Sequence, residues 1–112
     1  MLKKAIYKGA KISYCRKGNS KRTVVLIHGF LESHKVWEDY AKVLAKHNTV
    51  YSIDLPGHGE SECLGYIHSM EDMAGCVKKV LDDNNKRKAV IVGHSLGGYV
   101  ALAFGDKYPD AL

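Results

Sequence analysis

Within these 112 residues no apolar run approaches the roughly 18 that a membrane-spanning helix needs. The basic start at Lys3-Lys4 has no apolar stretch behind it, so the N-terminus does not read as a secretory signal. Only three cysteines occur, Cys15, Cys63 and Cys76, an odd number without metal-type spacing. That argues against a disulfide framework and fits a reducing, cytoplasmic compartment. Internal repeats, low-complexity tracts and Pro/Gly/Ser linkers are also missing, so residues 1–112 are expected to form no more than one domain. Acidic groups are outnumbered 12 to 17, for a net charge of +5. The cations are scattered, in Lys3-Lys4, Lys8, Lys11, Lys78-Lys79 and Lys86-Arg87-Lys88, and no aromatic residues interleave with them. Neither a nucleic-acid partner nor a membrane partner is therefore expected.

What is present is an ordered succession of strands and helices. Ala5 to Tyr7 and Ile12 to Tyr14 are short β-prone pieces, and Lys17-Gly18-Asn19-Ser20 reads as a turn. Thr23 to Ile27, Thr49 to Ile53 and Ala89 to Val92 are β-rich apolar runs of the kind buried on both faces. A helix is expected from about Val36 to Lys46, with Trp37, Tyr40, Ala41 and Leu44 facing the core. A second runs from about Ser69 to Asp82 on the stripe Met70, Met73, Ala74, Val77, Val80 and Leu81. Ser69 is its start signal and Asp82-Asp83-Asn84-Asn85 its stop. A third, from Leu96 to about Lys107, is apolar on nearly every side and is expected to be buried centrally.

Strands alternating with helices imply right-handed crossovers and a mostly parallel sheet in a three-layer α/β/α arrangement. Ligands on such sheets sit beyond the carboxyl ends of the strands. Three turns leave those ends, at His28, at Asp54 and at Gly93.

The third turn, Gly93-His94-Ser95-Leu96-Gly97-Gly98, is a G-x-S-x-G between a strand and a helix. A serine in so sharp a turn has strained backbone angles. Side chains two positions either side would strike the neighbouring strand and helix, and glycine at 93 and 97 avoids this. The hydroxyl is then exposed at a helix N-terminus, where the Leu96 amide favours an oxyanion. The plainer reading is a glycine-rich turn in which Ser95 only caps the helix.

Three segments together resemble the α/β-hydrolase fold family in its esterase-like branch. Val24 to Phe30 is similar to its strand and oxyanion loop, and Asp54-Leu55-Pro56-Gly57-His58-Gly59-Glu60-Ser61 to its D-x-P-G-x-G-x-S turn. Val90 to Gly98 is similar to its nucleophile elbow. The resemblance implies that Ser95 is the nucleophile and that the amides of Leu96 and Phe30 are the oxyanion donors. It makes Gly93, Gly97, His28 and Gly29 supporting residues, and gives His58 a place in a tight turn. Members that open epoxides or remove halogens carry aspartate at the nucleophile position, so Ser95 implies acyl transfer to water from an ester, a thioester or a related substrate. No cofactor is implied, and pairing His58 with Asp54 as metal ligands lacks a third ligand.

In the family the triad runs Ser, then Asp or Glu, then His. No histidine follows Ser95. Asp106 lies roughly 16 Å along the same helix at 1.5 Å per residue, and Asp110 is the one later acid. The chain thus reads as the N-terminal half of a serine hydrolase (EC 3 class), truncated after the nucleophile helix and inactive by itself. The alternative is a non-catalytic product or a ligand-binding module of the same fold. A small acyl substrate is the expected partner. The strand at Ala89 to Val92 is expected at an open sheet edge, which invites self-association.

Overall fold

The computed structural model describes residues 2–65 and 69–112. Five strands form one sheet in the order β1-β2-β4-β3-β5. They are β1 (Leu2–Tyr7), β2 (Ala10–Lys17), β3 (Thr23–Ile27), β4 (Thr49–Ile53) and β5 (Val90–Gly93). The helices are α1 (Glu38–Leu44), α2 (Met70–Asp83) and α3 (Leu96–Lys107), with single 3-10 turns at His34–Trp37 and Pro109–Ala111.

The sheet is mixed. β3 pairs parallel with β4 and β5, whereas β2 pairs antiparallel with both β1 and β4. The β1–β2 hairpin turns on Lys8 and Gly9, both at positive φ (49° and 83°), the backbone of a two-residue type I′ turn. Its twist matches that of the strands, and it lengthens the two short β-prone pieces into strands of 6 and 8 residues.

Alternation along β3 and β4 divides the core. Val25, Ile27, Tyr51 and Ile53 face α2 and α3, where they join Val77, Val80, Leu81, Val100 and Phe104. Val24, Leu26 and Val50 face α1 and form a smaller cluster with Ala41. Helices thus cover both faces, giving the three layers. α2 begins as expected: Ser69 Oγ accepts a hydrogen bond from the Asp72 amide (3.0 Å), and Met73, Ala74, Val77, Val80 and Leu81 are buried. It also crosses β1 closely, because a Cβ on Gly75 would overlap the Tyr7 ring.

Three expectations need correction. The first helix opens as a 3-10 turn, with Ser33 Oγ accepting from the Lys35 amide, and α1 ends at Leu44. Tyr40 lies on its outer face, 65% exposed, and only Ala41 of α1 is buried, while Trp37 packs part-buried against the small cluster. β5 is an edge strand among the described residues, as expected, but it is not buried on both faces, Val90 being 54% exposed. α3 is not central either. Gly97, Val100 and Phe104 are buried, but Tyr99 and Leu102 face outward. A helix apolar all round shows its partners only once its neighbours are known.

The burial of α3 predicts a sharp asymmetry. Phe104→Ala should cost about 3–5 kcal/mol, whereas Leu102→Ala, two residues earlier, should change stability by less than about 0.5 kcal/mol. Urea unfolding of the two variants checks this, and equal losses would refute it.

Candidate active site

β3 and β5 run side by side, with Ile27 opposite Gly93, so the loops leaving them start from the same place. The chain leaves β5 through His94 and Ser95 and enters α3 at Leu96. Ser95 stands at φ 57° and ψ −115°, a conformation that non-glycine residues rarely hold. Two glycines permit it. A Cβ on Gly93 would overlap the Gly97 carbonyl, and a Cβ on Gly97 would overlap the carbonyls of Ile27 and His28. The His94 amide donates to Ile27 O at 3.0 Å and ties the elbow to the end of β3. Ser95 is exposed, and its side chain makes no capping hydrogen bond to the helix. The simple N-cap alternative therefore does not describe its hydroxyl.

The loop after β3 is a β-turn over Gly29-Phe30-Leu31-Glu32. Glu32 N–H donates to Gly29 O (3.2 Å), and Gly29 N–H donates to Glu32 Oε1 (2.8 Å). Leu31 takes φ 63°, at the position where a type II turn favours glycine or asparagine. Among the described residues, neither the Phe30 amide nor the Leu96 amide donates a hydrogen bond. Two unpaired donors are therefore present, one in each of the loops that leave the paired ends of β3 and β5.

His28 is fully buried. Its Nδ1 lies 2.7 Å from the Gly29 carbonyl and its Nε2 accepts the Leu55 amide at 3.0 Å, which sets the Nδ1–H tautomer. Burial pushes its pKa below the ordinary 6.5, the Gly29 carbonyl working weakly against that shift. Both ring nitrogens are occupied, so His28 supports the loop and is not free to take a proton.

The turn after β4 is built on a buried carboxylate. Asp54 Oδ1 accepts from the backbone amide (2.7 Å) and ring Nδ1 (2.8 Å) of His34, and Oδ2 accepts from the Glu60 amide (3.0 Å). Gly59 must be bare because a Cβ there would overlap that carboxylate. Ser61 Oγ donates to Asp54 O (2.6 Å) and accepts from the Ser13 amide (2.7 Å), which fastens the turn to β2. The His58 ring lies 5.1 Å from that of His28 and edge-on to Phe30 at 5.9 Å, with Nδ1 3.1 Å from Pro56 O. Both carboxylate oxygens of Asp54 being used, a His58–Asp54 metal pair finds no support.

Of the residues singled out in the sequence, His28, Gly29 and Phe30 follow β3, Gly93 to Gly97 form the junction of β5 and α3, and Asp54 and His58 belong to the turn after β4. His34 and Glu32 were missed. His34 is the ring partner of Asp54, and Glu32 closes the Phe30 turn and lies 3.5 Å from His94 Nδ1. The two acids that follow Ser95 in chain order, Asp106 and Asp110, are exposed residues near the far end of α3. A cavity of about 420 Å³ opens beside the elbow on the α1 side, lined by Glu32, Val36, Trp37, Tyr40 and His94. The larger one, about 640 Å³, lies between the C-terminal ends of α2 and α3, away from this chemistry. Cys76 is buried, and burial pushes its thiol up to about 12.

Comparison with known proteins agrees with this fold. A family model described as alpha/beta hydrolase fold matches residues 22–112. The dihydrolipoyllysine-residue acetyltransferase component of the acetoin cleaving system of Cupriavidus necator is 40% identical over 102 residues, covering 91% of this chain and 27% of that protein. Among solved structures, Est816, described as an N-acyl homoserine lactone degrading enzyme, superposes with a TM-score of 0.92 at 30% identity, over 96% of this chain and 41% of its own. The epoxide hydrolase CorEH superposes with a TM-score of 0.93 at 30% identity, over 98% and 38%. The chain thus spans well under half the length of these proteins.

The buried, uncharged His28 predicts a pH dependence. Its folded pKa lies below the unfolded value, so its contribution is complete above about pH 6.5 and is lost as pH falls from there through the folded pKa. The His28 Cε1–H resonance should titrate with a midpoint below that of an exposed histidine. Protonation with a midpoint at or above 6.5 would contradict the assignment.

Proposed function

This chain belongs to the alpha/beta hydrolase fold family, and from that premise we propose that it carries the nucleophile and oxyanion hole of a hydrolase acting on acyl bonds. The observation that carries the reading is the strained, exposed Ser95 at the head of α3, next in chain to the unpaired Leu96 amide, with the unpaired Phe30 amide in the adjoining loop. In this scheme Ser95 Oγ attacks the carbonyl carbon of an ester, thioester or related acyl group while a base takes its proton. The carbonyl oxygen becomes an oxyanion facing the two amides. The leaving group departs with the proton, and water then releases the acid from the acyl-enzyme. Serine at position 95 favours this over epoxide opening, the activity named for one of the matched structures.

In this reading the general base does not come from the histidines engaged in the loops next to Ser95. His28 has both nitrogens engaged, His34 is held by Asp54, and His94 faces Glu32. By the family's triad order the base and its acid would lie beyond residue 112. Residues 1–112 alone therefore behave as the alternative reading has them, binding without appreciable turnover. Among the described residues no helix is long and apolar enough to cross a membrane. Three free thiols support a reducing, cytoplasmic setting.

Two measurements test the reading. Release of p-nitrophenol from p-nitrophenyl butyrate by the 112-residue chain should be no faster than by its Ser95→Ala variant. Robust turnover lost in Ser95→Ala would show instead that a histidine of this segment serves as base. Butyrate, a product acid, should shift the Phe30 and Leu96 amide resonances together. If it moves neither, the oxyanion assignment falls.

We also infer that the 112-residue chain by itself self-associates through β5, where Val90 and Val92 are exposed beside Tyr99 and Leu102 of α3. Light scattering should give a mass that rises with concentration and falls back toward the monomer in Val92→Lys. A monomer at every concentration would refute this.

A further inference from the structure

Glu32 has no part in the motifs that mark this site, yet three features of the site meet at it. Its Oε1 accepts the Gly29 amide at 2.8 Å, its own amide closes the turn onto Gly29 O at 3.2 Å, and the same carboxylate oxygen lies 3.5 Å from His94 Nδ1. Gly29 is the meeting point. A Cβ there would stand 2.8 Å from Glu32 Oε1, 3.2 Å from His94 Nδ1 and 3.3 Å from His94 O. The two loops are therefore in contact where the carboxylate sits, one residue before Phe30 and one residue before Ser95.

We propose that Glu32 is a positioning residue that holds the Phe30 turn and the Ser95 elbow in one fixed relation. The physics is specific. A carboxylate accepting a backbone amide makes a charge-assisted hydrogen bond, stronger than the neutral bond that closes an ordinary turn. Gly29 N–H is bonded to the Glu32 carboxylate and Gly29 O is shared between the Glu32 amide and His28 Nδ1, so the Phe30 peptide is fixed at each end and Leu31 is kept at φ 63°, which its side chain disfavours. The Phe30 amide then has no partner inside its own turn and faces out of it unpaired. The His94 imidazole adds the second tie. When protonated it attracts the same carboxylate, so the turn is drawn toward the residue that precedes Ser95. An oxyanion hole works only when its donors are in place before charge develops. One side chain bridging both donor loops supplies that preorganisation. The purpose of the tie rests on the acyl-transfer reading, whereas the tie itself does not.

The experiment compares Glu32→Ala and Glu32→Gln with the parent 112-residue chain by amide hydrogen exchange and 15N–1H correlation spectra, without ligand. In Glu32→Ala the Gly29 amide should exchange at least about tenfold faster, the loss of one charge-assisted hydrogen bond. The His94 and Leu96 cross-peaks, more than sixty positions away in sequence, should move as well. Glu32→Gln still has an amide oxygen for Gly29 but no charge for His94. It should restore Gly29 protection and leave the His94 cross-peak displaced. Resonances of β4, such as Tyr51, should not change in either variant, which separates this effect from loss of fold. Shifts confined to residues 29–32 would mean that Glu32 closes a turn and nothing more. Glu32→Gln behaving as Glu32→Ala, or unchanged Gly29 exchange in Glu32→Ala, would overturn the proposal. If butyrate had moved neither donor amide while these results held, the catalytic reading would fail and the tie between the loops would stand.

Discussion

The contact on which this structure turns is backbone against backbone: the first turn of α3 lying on the carboxyl end of β3. Gly97 has no Cβ because the Ile27 and His28 carbonyls occupy that space, and Gly93 has none because the Gly97 carbonyl does. With the His94 amide bonded to Ile27 O, these approaches bring a helix N-terminus against the exit of a strand more closely than any side chain would allow. The donor loops become neighbours as a result. Had either glycine been alanine, α3 would have to back away from β3, and the Leu96 and Phe30 amides would separate.

A second layer keeps the first from relaxing. The loop after β3 has few apolar contacts of its own, with Phe30 and Leu31 both exposed. It is held by polar groups from the loop after β4. His28 Nε2 receives the Leu55 amide, and the chain continuing into the 3-10 turn is anchored by His34 on the Asp54 carboxylate. A buried carboxylate is costly unless its lone pairs are filled, and here two backbone amides and an imidazole fill them. Ser61 then fastens the same turn to β2. The D-x-P-G-x-G-x-S segment contributes no group to Ser95. Its part is to be a rigid neighbour.

How much of this was legible depended on the range of the forces involved. β3 and β4 were readable to the residue because β-branched runs buried on two faces have few other conformations open to them. α2 was readable for a similar reason, its stripe and its Ser69 cap both being local. The first helix was misjudged because Trp37 and Tyr40 satisfy helical spacing, yet only a short α1 faces the sheet and a single residue of it, Ala41, is buried. The two long-chain contacts that matter at the site, Asp54 with His34 and Glu32 with Gly29 and His94, had no signal in spacing. Asp54 with His34 and Glu32 with His94 join side chains to groups in other loops, which only the sheet order places together, and Glu32 with Gly29 closes a turn that has no hydrophobic period.

Strain is concentrated where that order brings the loops into contact. Ser95 and Leu31 both hold positive φ without being glycine, each at a cost of about 1–3 kcal/mol. They sit on opposite sides of one junction, Ser95 behind His94 and Leu31 beside Glu32. The remaining two such residues, Lys8 and Asn85, belong to a hairpin turn and a helix end, where left-handed geometry is ordinary. Ser95 is not enforced by its own sequence neighbourhood alone, whereas the turn at Leu31 is closed locally. The elbow is held because Gly93 and Gly97 let α3 press on β3, and the turn because Glu32 returns to Gly29. A hydroxyl turned outward and an amide left unpaired are the two products of that strain. Relaxing either residue to ordinary backbone angles would withdraw one of them from the space between the loops.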